Sequence, residues 1–140
     1  MNSEFRRPKP EAGTPADQRA PARSFEQLIV WQKAHQLVLA ARLFTGNFPR
    51  KGTCGPTSQL RRAVVAIPAN IAAGVKKRSR ADNARFLNLA QGSLEEGRCS
   101  LILARDLNCD DTTGLVARFA EVGKLLEVRA AKILTSDSCL

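Results

Sequence analysis

The side chains of this sequence whose types and spacing could do chemistry together are cationic. Residues 50–85 hold nine basic groups (Arg50, Lys51, Arg61, Arg62, Lys76, Lys77, Arg78, Arg80 and Arg85) against Asp82 alone, a local charge of +8. The whole 140-residue chain carries +9. Residues 1–24 add +2 and residues 25–49 add +1, while residues 86–140, with six basic and eight acidic groups, subtract 2. The excess is thus focused on about one quarter of the chain, the pattern of a basic patch facing a polyanion. A solvated helix end with a loop is the plainer reading of the same charges.

Catalytic chemistry has little to work with. The single histidine, His35, has no cysteine at a spacing that suggests a nucleophile pair, and reads as a core-edge or surface residue. Glu95 and Glu96 are adjacent, so on a helix they point about 100° apart and do not converge as an acid and a base. GTCGPTSQ (52–59) is not a phosphate-binding loop, because the lysine precedes the glycines and no GK[ST] follows. No metal-ligand spacing is present, so neither metal nor cofactor is expected. Cys54, Cys99, Cys109 and Cys139 form no CxxC pair and read as scattered free thiols of a reducing cytosol. Cys139 in the final DSCL is misplaced for prenylation. No apolar run approaches the ~20 residues of a membrane span. The start of the chain lacks an apolar signal segment, so a cytoplasmic protein is expected.

The elements that must position the cations read as helices. With seven aromatic residues and no tyrosine, the core must be aliphatic, and no segment alternates with period two. Residues 1–23, with four of the seven prolines, form a basic, proline-rich tail expected to be disordered. Ser24 and Gln27 fit a capping box for a first helix over about 26–46. Its stripe is Leu28, Trp31, Ala34, Val38 and Ala41, widened by Val30, Leu37 and Phe44. A second helix over about 57–77 places Leu60, Val64, Ile67, Ile71 and Gly74 inward. Ser79 and Asp82 cap a third over about 80–107, lined by Leu87, Ala90, Leu94, Leu101 and Ala104. Gly92 and Gly97 inside it suggest close helix contact. Thr112 or Thr113 opens a fourth over about 113–134, with Leu115, Phe119, Val122, Leu125, Leu126, Arg129 and Ile133 as its stripe. The expected fold is all-α, an antiparallel up-down-up-down four-helix bundle over residues 24–136.

The second helix carries the cations at its end, in AIPANIAAGVKKRSR (66–80). Pro68 lacks an N–H for the Val64 carbonyl and should kink the helix or end its first half. Asn70 can donate to a freed carbonyl or to another helix, a structural role. Apart from Arg62, the outer face is apolar: Val65, Ala66, Ala69, Ala72 and Ala73. A helix apolar nearly all round must be buried nearly all round, so this face is expected to meet another subunit.

The stretches LIVWQKAHQLV (28–38), TSQLRRAVVAIPANIAAG (57–74) and RFLNLAQGSLEE (85–96) resemble the four-helix-bundle family encoded in intervening sequences of 23S ribosomal RNA genes. The resemblance covers about residues 24–134. It rests on Trp31 and Lys33, the Gln59–Arg61–Arg62 cluster, the Pro68–Asn70–Gly74 spacing, and the runs Arg85-Phe86-Leu87 and Gly92-Ser93-Leu94. It implies a homopentameric barrel of bundles with no established enzymatic activity. A similar fold and assembly occurs in the accessory protein of diversity-generating retroelements, which binds a reverse transcriptase and nucleic acid. Three positions depart from the family pattern. Ala73 stands where a glutamate is usual, and Gly97 and Arg98 replace a common leucine and an acidic residue. Glu96 matches a recurrent acidic position and is expected to pair with Arg61 or Arg62.

Two functions compete. The first is a non-enzymatic, oligomeric module that binds nucleic acid, structured RNA above all, through phosphate contacts from Arg61, Arg62, Lys76, Lys77, Arg78, Arg80 and Arg85. The N-terminus of the third helix would assist, and the scarcity of aromatics argues against base stacking. The second is an oligomeric scaffold for a protein partner such as a reverse transcriptase.

Overall fold

A single departure from helical geometry, at Leu28, decides where the first helix begins. Ser24 Oγ accepts the Glu26 N–H at 3.1 Å, and Leu28 N–H reaches Phe25 O at 3.0 Å, which closes a tight 3-10 turn over Phe25–Gln27. Leu28 then takes an extended backbone, φ −82° and ψ 130°, and its side chain is buried. The first α-helix therefore starts three residues later than expected from residue 26, because Ser24 caps a 3-10 turn rather than an α-turn.

The computed structural model describes residues 24–46 and 57–135. It contains four α-helices: α1 (Ile29–Gly46), α2 (Thr57–Val75), α3 (Arg80–Asp106) and α4 (Thr113–Thr135). No strand occurs among the described residues. The expected tail, residues 1–23, and residues 47–56, with Arg50, Lys51 and Cys54, lie outside them. So does the end of the expected bundle at 136.

α1 is turned slightly from the expected stripe. Val30, Ala34, Leu37, Ala41 and Thr45 are buried, while Trp31, Val38 and Phe44 are half-buried and pack on the flank of the core. α2 buries Leu60, Ala63, Val64, Ile67, Pro68, Ile71 and Gly74. Pro68 does not end the helix: α2 is helical on both sides of it, and burial of the ring offsets part of the lost hydrogen bond. Asn70 Nδ2 donates at 2.9 Å to Ala66 O, within its own helix, rather than to the Val64 carbonyl or across to a neighbour.

α3 starts at Ser79, whose Oγ accepts the Asp82 N–H at 3.0 Å. It ends with Asn108 at φ 58°, where Asn108 N–H meets Arg105 O at 3.0 Å and Cys109 N–H meets Ala104 O at 2.9 Å. Those two bonds and the left-handed residue define a Schellman stop. Asp111, not Thr112 or Thr113, then supplies the side-chain cap of α4. Its Oδ1 accepts the Thr113 N–H at 3.0 Å and the Thr113 hydroxyl at 2.7 Å. The Thr113 hydroxyl, then the Thr113 N–H, hold the Asp111 carboxyl below its ordinary value.

The helices form a closed ring in which α2 and α3 share the largest interface and α1 also meets α4. Gly74 lies against Asn83 and Phe86, and Gly97 against Ala63, so α2 and α3 run in opposite directions. Gly97 against Phe119 and Gly123 against Leu94 give the same relation for α3 and α4. Arg61 reaches Thr45, while the 3-10 turn before α1 packs on α2. The start of α1 and the end of α2 therefore share the end of the bundle at which α3 begins. At the core, Leu37, Leu60, Ile67, Ile71, Leu87, Phe119 and Leu126 are fully buried. Each contributes roughly 1.5–3 kcal/mol of transfer free energy.

One expectation fails at the cysteines. Cys99 is a free, exposed thiol, but Cys109 is buried and disulfide-bonded. The Schellman reversal at Asn108 turns Cys109 back against Ala104, a proximity that sequence spacing does not encode. The inference of a reducing compartment from four free thiols loses that support.

Candidate nucleic-acid interface

The turn between α2 and α3 is built around Gly74. A β-carbon there would lie 2.9 Å from Asn83 Oδ1, 3.1 Å from Phe86 Cβ and 3.4 Å from the Asn83 carbonyl oxygen. Only glycine lets the last turn of α2 approach the first turns of α3 so closely. Lys77 N–H bonds Gly74 O at 3.0 Å and tightens the helix end. Ser79, at φ −95° and ψ 149°, then starts α3 at once. Four connecting residues, three of them basic, are thereby confined to one sharp corner.

Lys76, Lys77, Arg78 and Arg85 are exposed there, and Arg80 is half-buried. Two of these cations share one ring. The Lys77 ammonium stands 4.9 Å from the Phe86 centroid and the Arg85 guanidinium carbon 4.8 Å from it. Asp82 Oδ1 lies 4.0 Å from Arg85 Nε, an exposed pair that neutralises little. The corner thus keeps a net positive field next to the N-terminus of α3, whose orphan N–H groups add to it.

Arg61 and Arg62 do not join this cluster. They precede Lys76 by more than three turns of α2, about 20 Å along the axis. Arg61 is half-buried and its Nε donates at 2.7 Å to Thr45 Oγ1, which itself donates to Ala41 O at 2.9 Å. That chain ties α1 to α2. Arg62 is exposed and lines a groove of about 570 Å³ between α2 and α3, with Gln59, Ala63, Ala66, Glu96, Cys99 and Ser100. The ion pair expected between Glu96 and Arg61 or Arg62 is not formed. Arg61 turns to α1 on the other side of α2, and Glu96 and Arg62 share the groove without pairing among the described residues. Arg98 instead pairs with Glu95 at 2.9 Å.

The remaining motif residues divide. Trp31 stacks on His35 with ring centroids 5.0 Å apart and planes 8° from parallel, and is tilted against Phe25 at 5.1 Å. His35 itself is exposed on the flank of α1. Gly92 is exposed with no atom within 4 Å of where its β-carbon would stand, so no close contact inside the chain requires it. Gly97 does have one, with Phe119. Sequence reasoning missed Phe86 as the holder of two cations and Thr45 as the acceptor of Arg61. Lys77 lies in the connector and Phe86 in α3, and nothing in their spacing signals the contact.

Among the described residues no cluster of His, Cys, Asp or Glu could hold a metal ion, and no helix is long and apolar enough to cross a membrane.

The class is thus an all-α four-helix bundle with a basic corner between its second and third helices. Residues 26–127 match the family model of the 23S rRNA-intervening sequence protein, and the chain belongs to that family. No curated protein matches the chain.

Proposed function

We propose that the protein is a non-enzymatic, homo-oligomeric module that binds nucleic acid, structured RNA in particular, through phosphate contacts. The observation that carries this reading is the corner between α2 and α3, where residues 76–85 bring five cations, Lys76, Lys77, Arg78, Arg80 and Arg85, together with a single carboxylate, Asp82. A field of that kind attracts a polyanion without regard to sequence and weakens steeply with salt. The family is described as the 23S rRNA-intervening sequence protein, a description compatible with an RNA ligand.

Self-association is part of the proposal. Val65 and Ala69 are exposed on α2, Ala66, Ala72 and Ala73 are half-buried, and Leu89 is 44% exposed at the neighbouring start of α3. Small side chains there permit close approach of a second copy, and the family resemblance points to five. Repetition around a ring would multiply the basic corner.

A second reading, a scaffold for a protein partner such as a reverse transcriptase, draws on α1. Ile29, Leu39 and Leu43 are 61%, 54% and 75% exposed on its outer face. A fluorescence-anisotropy titration of the purified protein with a structured RNA and a matched DNA duplex at low salt separates the two. Saturable binding by the protein alone supports the nucleic-acid module; its absence sends the corner to a protein partner.

A further inference from the structure

Phe86 is the one aromatic residue inside the basic corner, and its surroundings restrict what the corner can read. Its backbone is pinned, because Phe86 Cβ packs where Gly74 leaves room. The Lys77 ammonium and the Arg85 guanidinium both stand within cation–π range of the ring, at 4.9 Å and 4.8 Å from the centroid. Each such attraction is small at an exposed site, but the pair has two consequences. Long side chains that would otherwise sample many rotamers are ordered in advance, so less entropy is lost when they meet an anion. The cations also cover ring surface, so a nucleobase that stacks on a face they hold must displace them. The other ring cluster, Phe25–Trp31–His35, is stacked on itself.

We infer that Phe86 is a positioning residue that holds Lys77 and Arg85 as a paired phosphate clamp, and that the nucleic acid read at this corner is double-stranded. The inference rests on the nucleic-acid reading above and narrows its ligand. Proteins that hold single strands gain much of their affinity from bases stacked on open aromatic faces. Here phosphate contacts remain, and a duplex offers them at higher density along its axis than a single strand does.

The test uses the full chain and fluorescein-labelled RNA, once as a short duplex and once as either strand alone, chosen not to fold. The duplex binds about tenfold tighter than the strand at the same ionic strength. Phe86→Leu weakens duplex binding about fivefold and leaves the strand affinity within about twofold. Phe86→Tyr keeps the ring and binds as the parent does. In NMR spectra the ring-current displacement of the Lys77 and Arg85 side-chain methylene signals is present in the parent and the Tyr variant and lost in the Leu variant, a readout that packing alone would not move. Single-strand binding as tight as duplex binding overturns the inference and leaves the nucleic-acid module standing. No binding of either RNA overturns both. Unchanged duplex affinity of Phe86→Leu, with the ring-current displacement lost, removes the positioning role.

Discussion

Gly97 of α3 lies against the ring of Phe119 in α4: a β-carbon at position 97 would stand 2.8 Å from Cε1 and 3.0 Å from Cζ. Phe119 is 1% exposed and cannot swing aside. The ring fills the space that a larger residue at 97 would take.

Gly97→Ala is therefore expected to destabilise the bundle by about 1–2 kcal/mol, because overpacking outweighs the gain of about 1 kcal/mol in helix propensity. In a Phe119→Leu background the same change should stabilise. Urea denaturation of the four proteins of this cycle measures the coupling, and additive effects would contradict the contact.

Asn108 ends α3 at φ 58°, a conformation glycine adopts without strain. Asn108→Gly should leave stability unchanged or raise it by a few tenths of a kcal/mol, and Asn108→Ala should lower it by about 1 kcal/mol. Thermal unfolding followed by circular dichroism tells these apart.

Arg61 and Arg62 are neighbours with different duties. Thr45→Val strands the half-buried Arg61 side chain and should cost about 1–2 kcal/mol of stability. Arg61→Gln should likewise lower stability while leaving nucleic-acid affinity nearly intact. Arg62→Gln, at an exposed position, should change stability by less than about 0.5 kcal/mol. A strong loss of binding in Arg61→Gln without unfolding would place Arg61 in the interface instead.

Ala69 is exposed on the outer face of α2. In a monomer Ala69→Glu would be nearly neutral. If that face is shared between copies, the charge should shift sedimentation velocity from an oligomer to a monomer, with helicity retained. An unchanged oligomer would place the interface elsewhere.

Most of the fold was legible in the sequence because helix stripes depend on spacing alone. Leu60, Val64, Ile67 and Ile71 of α2, and Leu87, Ala90, Leu94, Leu101 and Ala104 of α3, are buried as their periodicity predicts. The start of α1 was not, since one Ser24 hydroxyl chose Glu26 over Gln27 and closed a different turn. Pro68 lies inside the helix expected over 57–77, and of its two expected effects the end of the first half does not occur, because its ring is held by the core. Of the candidate site, the charge cluster was visible and its corner geometry partly so, through Gly74 and Ser79. The Phe86 platform and the Thr45–Arg61 tie each join residues across a helix boundary, and the periodicity of a single helix carries no such information.

The central claim is that the corner between α2 and α3 binds phosphates. The most direct test is the salt dependence of RNA affinity for the parent protein and for the variant Lys76→Gln, Lys77→Gln, Arg78→Gln, Arg80→Gln. Loss of four phosphate contacts should make the slope of log affinity against log salt shallower by roughly three. Equal slopes and equal affinities in the two proteins would contradict the claim.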